Sequence, residues 1–168
     1  MNDHTLYFAY GSNMARERMR ARVPSAEFLS VASLPGYTLK FHKPGKIGGT
    51  GKCDAAYTGK SEDRVLGALY SIRTSQLPEL DRIEGLGHGY ARKTVSVSTS
   101  SGESFSAETY IATICDPSLH PLDWYKEHVL RGARAIGLPS DYVASIEAVA
   151  ADVDPDKVRR AMELSIYC

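Results

Sequence analysis

The stretch Leu6-Tyr7-Phe8-Ala9-Tyr10-Gly11-Ser12-Asn13-Met14 changes its character at the glycine. The residues before it are apolar or aromatic, as in a buried strand, whereas Gly-Ser-Asn is typical of a tight turn and the residues after Met14 are helix-like. A strand that ends in such a turn beside the start of a helix presents backbone N–H groups, which together bind an anion or a developing oxyanion. The sequence therefore predicts a strand–turn–helix unit, in which the turn at Gly11 and Ser12 is either an anion-binding loop or an ordinary connection.

Strand-like segments continue through the first two thirds of the chain. They are short, rich in aromatic or β-branched residues, and bounded by Gly, Ser or Pro. The predicted strands are Thr5–Tyr10, Tyr37–Phe41, Cys53–Thr58, Val65–Ile72, Tyr90–Val97 and Ser104–Ala112. Because the strands follow one another and most helices come later, we predict an α+β fold. About six strands would form a small mixed or antiparallel, barrel-like sheet with flanking helices.

Helical patterns dominate the last third of the chain. Apolar residues recur at helical spacing in Pro121–Ile136, and a glycine follows that segment. Further helices are predicted after Ser140 and from Asp154-Pro155, and we expect the last one to bury Val158 and Met162. The sequence thus places a helical layer after the sheet.

Two shorter helices are predicted among the strands. One covers Ala15–Arg22, and the other follows Ser75 and ends at Gly85. Arginine occupies every second position from 16 to 22 in the first of them. Side chains at that spacing point around a helix rather than along one face, so we expect these arginines to form a solvated surface rather than an RNA contact.

Length, composition and charge exclude several classes of protein. The chain has 168 residues, of which 43% are hydrophobic, so a single globular domain over residues 1–168 is expected and disorder is not. Lys and Arg number 20, as do Asp and Glu, and this balance argues against a nucleic-acid partner or an anionic membrane surface. The amino terminus lacks a secretory pattern, and no apolar run suits a membrane span. These features predict a soluble cytoplasmic protein.

Motifs for phosphate, hydrolase or metal chemistry are incomplete. In the glycine-rich segment 45–53, Lys46 occupies the first glycine position of a P-loop and Cys53 occupies its hydroxyl position, so we interpret the segment as a connection. Gly11-Ser12 does not match the serine-hydrolase elbow. The histidines show no ligand spacing, and the three cysteines lie far apart, as expected of reduced thiols. No metal or cofactor is predicted.

Tyr10-Gly11-Ser12-Asn13 at the end of the first strand resembles the signature of the γ-glutamylcyclotransferase family. Other segments resemble family motifs in the same order along residues 6–145. They are Leu34-Pro35-Gly36-Tyr37, Val65–Tyr70, Leu80–Gly85 with Gly89-Tyr90, and Tyr125-Lys126. The resemblance implies an enzyme that converts a γ-glutamyl amide to 5-oxoproline and a free amine, and it leaves association into a homodimer open.

The resemblance also implies which residues serve this reaction. Glu84 matches the family's catalytic glutamate, which acts as general acid and base. The implied substrate-binding residues are Tyr7, Phe8, Ala9, Tyr10, Gly11, Ser12, Tyr90 and Tyr125. The substrate's α-amine attacks its own γ-carbonyl, so no protein nucleophile is needed. A base is needed, however, because the α-amine is mostly protonated at neutral pH.

The position of Glu84 in the sequence suits a base but leaves a rival. It lies in the last helical turn before Gly85, where the helix dipole disfavours a charged carboxylate. Asp81, three residues earlier, is either the base itself or a partner that orients Glu84. Two other functions also stay open: a cyclotransferase that releases a γ-glutamyl-linked amine or metabolite, and a catalytically silent protein that binds a small ligand.

Overall fold

A closed barrel of five strands forms the centre of the molecule in the computed structural model, which describes residues 3–168. The strands of the chain are β1 (His4–Ala9), β2 (Glu27–Pro35), β3 (Tyr37–Pro44), β4 (Gly51–Tyr57), β5 (Arg64–Arg73), β6 (Tyr90–Thr99) and β7 (Ser104–Ala112). Their order around the barrel is β1-β5-β2-β6-β7. Neighbouring strands are antiparallel, except that β1 and β7 run parallel where the barrel closes.

Strands β3 and β4 pair with each other in a separate two-stranded sheet. The α+β fold and the barrel-like sheet predicted from the sequence are confirmed, but the set of strands differs. The barrel has five strands within residues 3–168, and one of them, β2, was not among the predicted strands. Small and polar residues are common in β2, and only Ala32 and Leu34 of its side chains are fully buried. A bulge between Phe28 and Ser30 further interrupts its alternation.

The helices lie where the sequence patterns predict them, within a few residues. They are α1 (Arg16–Arg22), α2 (Leu77–Glu84), α3 (Asp123–Ala135), α4 (Ser140–Glu147) and α5 (Lys157–Leu164). Helix α2 ends because Gly85 adopts φ +74°, a conformation that a side chain disfavours. None of the helices within residues 3–168 is long and apolar enough to cross a membrane.

Helix α3 packs directly against the turn that follows β1. A Cβ atom at Gly132 would lie 2.5 Å from the backbone nitrogen of Ala15 and 2.6 Å from the Cβ of Met14, so only glycine permits this approach. The buried side chains of Val129 and Ala133 extend the contact. The turn is therefore held from behind by a long helix.

Helix α5 contradicts the expectation that its apolar residues are buried. Val158 is 71% exposed and Met162 is 69% exposed. The helix is instead held through charged groups: Arg159 contacts Asp154 at 2.6 Å, and Glu163 contacts Arg18 at 2.9 Å. Ion pairs, rather than an apolar stripe, thus set which face of α5 meets the rest of the protein.

Candidate functional site

A cavity of about 300 Å³ lies where β1 ends. The residues that line it come from separate parts of the chain: Tyr7, Tyr10, Gly11, Ser12, Asn13, Cys53, Glu84, Tyr90, Tyr110 and Tyr125. Glu84 and six of the eight residues predicted to bind substrate are therefore brought together. We call this space the tyrosine cavity, because five of its lining residues are tyrosines.

Phe8 and Ala9, also predicted to bind substrate, do not line the tyrosine cavity. Both side chains are buried in the core, with Phe8 0% exposed and Ala9 1% exposed. The carbonyl of Phe8 accepts a hydrogen bond from the Thr109 hydroxyl at 2.8 Å, which ties β1 to β7. Both residues therefore belong to the core around β1 rather than to the lining of the cavity.

The turn at Gly11-Ser12-Asn13 forms one wall of the cavity. Within residues 3–168, none of these three backbone N–H groups has a hydrogen-bond acceptor. A Cβ atom at Gly11 would lie 2.9 Å from the Cβ of Cys53, so the glycine lets the turn approach β4 closely. The turn therefore offers three adjacent donors beside the cavity, as the sequence predicts for a binding loop.

Glu84 reaches the cavity from the end of α2. Its Oε1 accepts hydrogen bonds from the Asn13 side chain at 2.8 Å and from Arg22 at 3.2 Å. The side chain is 15% exposed. Among the described residues, no hydrogen bond engages Oε2. A cation and an amide thus hold one oxygen and compensate for the unfavourable end of the helix dipole, while the other oxygen is available to a ligand.

Asp81, the rival carboxylate, has other partners. It accepts a hydrogen bond from the Tyr110 hydroxyl at 2.6 Å and pairs with Arg92 at 2.5 Å. Its side chain does not line the tyrosine cavity. Asp81 therefore acts on the cavity through Tyr110, whose hydroxyl it orients.

Burial keeps the tyrosines of the cavity in their neutral form. It raises the pKa of Tyr7, Tyr10, Tyr90, Tyr110 and Tyr125 well above the ordinary value of 10. Tyr90 donates its hydroxyl proton to the carbonyl of Cys53, and the N–H of Cys53 donates to the Tyr125 oxygen at 3.0 Å. These hydroxyls thus serve as neutral, positioned hydrogen-bonding groups, and Glu84 contributes a carboxylate to the same cavity wall.

Two arginines of α1 contradict the expectation of a solvated basic surface. Arg18 is 8% exposed; it donates to the Ser12 hydroxyl at 3.2 Å and pairs with Glu163. Arg22 holds Glu84, as described above. The two are four residues apart and so share one face of the helix, which the alternating pattern obscured. Asn13 was visible in the turn motif, but its contact with Glu84 has no signature in the sequence.

A larger, open groove of about 950 Å³ adjoins the tyrosine cavity at Tyr125. Its basic residues are Arg18, Arg22, Lys46, Lys52 and Arg82, and Glu163 is its acidic residue within the described chain. Ile47, Leu122 and Trp124 add apolar surface. We call it the cationic groove. The connection before β4 and the first two residues of β4 form one side of the groove, so the glycine-rich segment 45–53 contributes to it.

His42, Asp54 and Cys115 come within 4.8 Å of one another, although they are distant in the sequence. These are residue types that bind metals. Asp54 already accepts hydrogen bonds from His42 at 2.7 Å and from the backbone N–H of Ala112 at 2.8 Å. The protein's own donors therefore satisfy this buried carboxylate.

Comparisons with known proteins match both the sequence and the fold. A model of the AIG2-like family matches residues 64–146. Gamma-glutamylcyclotransferase of Bos taurus is 36% identical over 161 residues, covering 94% of this chain and 85% of that protein. The Homo sapiens protein of the same name is 35% identical over the same extent. A solved structure described as gamma-glutamyl cyclotransferase has a TM-score of 0.87 and 32% identity, over 98% of each chain.

The segment that matches the family model contains both Glu84 and Tyr125, which lie on the two helices at the cavity. The relatives match nearly the whole chain. By this likeness the chain belongs to the γ-glutamylcyclotransferase family.

Proposed function

We propose that this protein cyclises γ-glutamyl amino acids, or closely related γ-glutamyl amides, to 5-oxoproline and releases the free amine. The arrangement of Glu84 supports the proposal above all. Its carboxylate lies at the cavity beside the turn, with Oε1 held by Asn13 and Arg22 and Oε2 without a protein partner among residues 3–168. A base with one oxygen held and one available is suited to proton transfer at a fixed point.

The reaction requires one bond to form and one to break. Glu84 takes a proton from the substrate's α-ammonium, and the free amine then attacks the γ-carbonyl carbon to close a five-membered lactam. The bond between that carbon and the leaving nitrogen breaks as Glu84 delivers the first proton to that nitrogen. The ring nitrogen then gives up its second proton, which Glu84 also passes on, so that the lactam is neutral and the leaving group departs as an ammonium ion. Atoms and charges balance without another reactant, and reactive groups within one molecule gain from being held close together.

The remaining cavity residues would bind and shape the glutamyl half of the substrate. The N–H groups of Gly11, Ser12 and Asn13 are suited to a carboxylate or to the carbonyl oxygen as it gains negative charge. Tyr125 and Tyr90 are suited to neutral hydrogen bonds. The turn and the tyrosines surround one space, so they would hold the glutamyl group in the folded shape that cyclisation needs.

The test is production of 5-oxoproline from γ-glutamyl substrates by the purified protein. The panel contains γ-glutamyl dipeptides and γ-glutamyl amines, and Glu84→Gln is the inactive comparison. Glu79→Gln is a matched control, because Glu79 is an exposed residue on the same helix. Absence of 5-oxoproline from every substrate would overturn the proposal and favour a silent binding protein.

A cytoplasmic location and a single domain over residues 1–168 remain predictions, and association into a homodimer remains open. Light scattering during size-exclusion chromatography would measure the mass in solution, and a mass of one chain would contradict the dimer.

A further inference from the structure

The cationic groove carries positive charge that its neighbours do not neutralise. Arg18 pairs with Glu163, and Arg22 pairs with Glu84. Arg82 pairs with Glu79. Within residues 3–168, Lys46 and Lys52 form no salt bridge. Two lysines therefore remain to attract an anion into the groove.

Lys52 is the lysine nearest to the proposed chemistry. It precedes Cys53, a cavity residue whose N–H is bonded to the Tyr125 hydroxyl. Its ammonium lies 5.9 Å from the centre of the Tyr125 ring, where the cavity and the groove meet. Burial lowers the pKa of Lys52 to about 8, so its charge is held at a cost that a bound anion would relieve.

The cationic groove adjoins the tyrosine cavity at Tyr125, close to this lysine. With the glutamyl half in the cavity, as proposed above, the leaving group would extend into this larger groove. A leaving amino acid carries a carboxylate close to the scissile nitrogen, and its side chain would meet Ile47, Leu122 or Trp124. An alkylamine as leaving group has no carboxylate, so Lys52 would gain no ionic contact from it.

We propose that Lys52 binds the carboxylate of the leaving amino acid, so that the cationic groove selects γ-glutamyl amino acids over γ-glutamyl amines. This inference rests on the proposed cyclotransferase function and adds a specificity-determining residue to it. It assigns Lys52 to the leaving group rather than to the glutamyl half.

The test uses two substrates that differ by one carboxylate, γ-glutamylalanine and γ-glutamylethylamide. We expect the wild-type protein to prefer γ-glutamylalanine. In Lys52→Met, kcat/KM for γ-glutamylalanine should fall by about 10- to 100-fold, as for a lost charged hydrogen bond. The value for γ-glutamylethylamide should fall far less, and Lys52→Arg should restore part of the preference. Lys60→Met, at an exposed position outside the groove, is the matched control.

The outcomes separate this inference from the proposed function. An equal loss for both substrates in Lys52→Met would overturn the role in leaving-group selection, while the cyclotransferase activity would stand. Absence of 5-oxoproline from both substrates with the wild-type protein would overturn the proposed function itself. Circular dichroism and thermal unfolding check each variant, and Lys52→Gln provides the same comparison if the methionine variant does not fold.

Discussion

The tyrosine cavity and the cationic groove share Tyr125 but differ in size, charge and origin. The cavity is the smaller and is walled by neutral hydroxyls, backbone donors and one carboxylate, whereas the larger groove presents five basic side chains from the described chain. Fixed hydrogen-bond donors suit a group of constant shape. Basic side chains suit ligands that differ in shape but share a negative charge. On the proposed function, the cavity therefore suits the constant glutamyl half and the groove suits the variable leaving group.

The largest effect is expected from removing the base of the cavity. Glu84→Gln keeps the size of the side chain but cannot accept a proton, so kcat should fall by about 10²- to 10⁴-fold. KM should change little, because the turn donors and tyrosines remain. Steady-state kinetics with γ-glutamylalanine measures both constants. Near-normal turnover in folded Glu84→Gln, together with an inactive Asp81→Asn, would transfer the role of base to Asp81.

A smaller effect is expected from filling the space between the turn and β4. Gly11→Ala places a methyl group 2.9 Å from the Cβ of Cys53, and such overpacking lowers the free energy of unfolding by about 1–3 kcal/mol. Shifting the turn donors should also lower kcat/KM. Gly48→Ala is the control, because its Cβ would meet no atom within 4 Å. Urea unfolding compares the two variants, and equal stability would show that the turn relaxes freely.

The pH dependence of substrate preference should distinguish the groove from the cavity. Burial lowers the pKa of Lys52 to about 8, although nearby Glu84 opposes the shift and Arg18, Arg22 and Lys43 add to it. The ammonium is therefore charged below this pH and loses its proton above it. KM for γ-glutamylalanine, relative to that for γ-glutamylethylamide, should rise by up to about tenfold near pH 9. The ratio cancels changes in the base, and a ratio constant with pH would contradict a charged Lys52.

The smallest effect is expected at the outer edge of the groove. Lys46 is exposed, so its attraction for an anion is weakened by water and salt. Lys46→Met should raise KM for γ-glutamylalanine by about threefold or less at low ionic strength, and added salt should remove the difference. Kinetics across a salt series measures it. If Lys46→Met weakened the reaction of γ-glutamylalanine as much as Lys52→Met does, the carboxylate of the leaving amino acid would lie beside Lys46 instead of Lys52.

The tyrosine cavity could largely be predicted from the sequence, because much of it lies in one continuous segment. The turn motif at Gly11-Ser12 and the helix end at Glu84 are local signals, and the resemblance joins them. Asn13 and Arg22 were missed as partners of Glu84, since a contact between side chains 71 or 62 positions apart has no local pattern. Short-range patterns indicate where a turn or a helix lies, but they do not indicate which distant side chains contact it.

The cationic groove could not be predicted in the same way. Its residues come from α1, α2, α3, α5, the start of β4 and the connections before β4 and α3, and none of these segments has a binding motif by itself. Strand β2 was missed for a related reason, since its pairing with β5 and β6 stabilises a segment with few buried side chains. The groove and strand β2 both depend on contacts between distant segments, and the composition of each segment does not indicate those contacts.

Trp124 gives the groove a built-in optical reporter. It is the single tryptophan of the chain, it lies in the groove wall, and its ring centre is 6.2 Å from that of Tyr125. Its indole N–H is fixed by Asp154 at 2.7 Å, so the ring has a defined orientation. Tryptophan emission, excited selectively over that of the tyrosines, therefore comes from a residue of the groove wall that does not line the cavity proposed for the glutamyl half. Stopped-flow emission would follow entry into the groove and release from it separately from ring closure, without any attached dye.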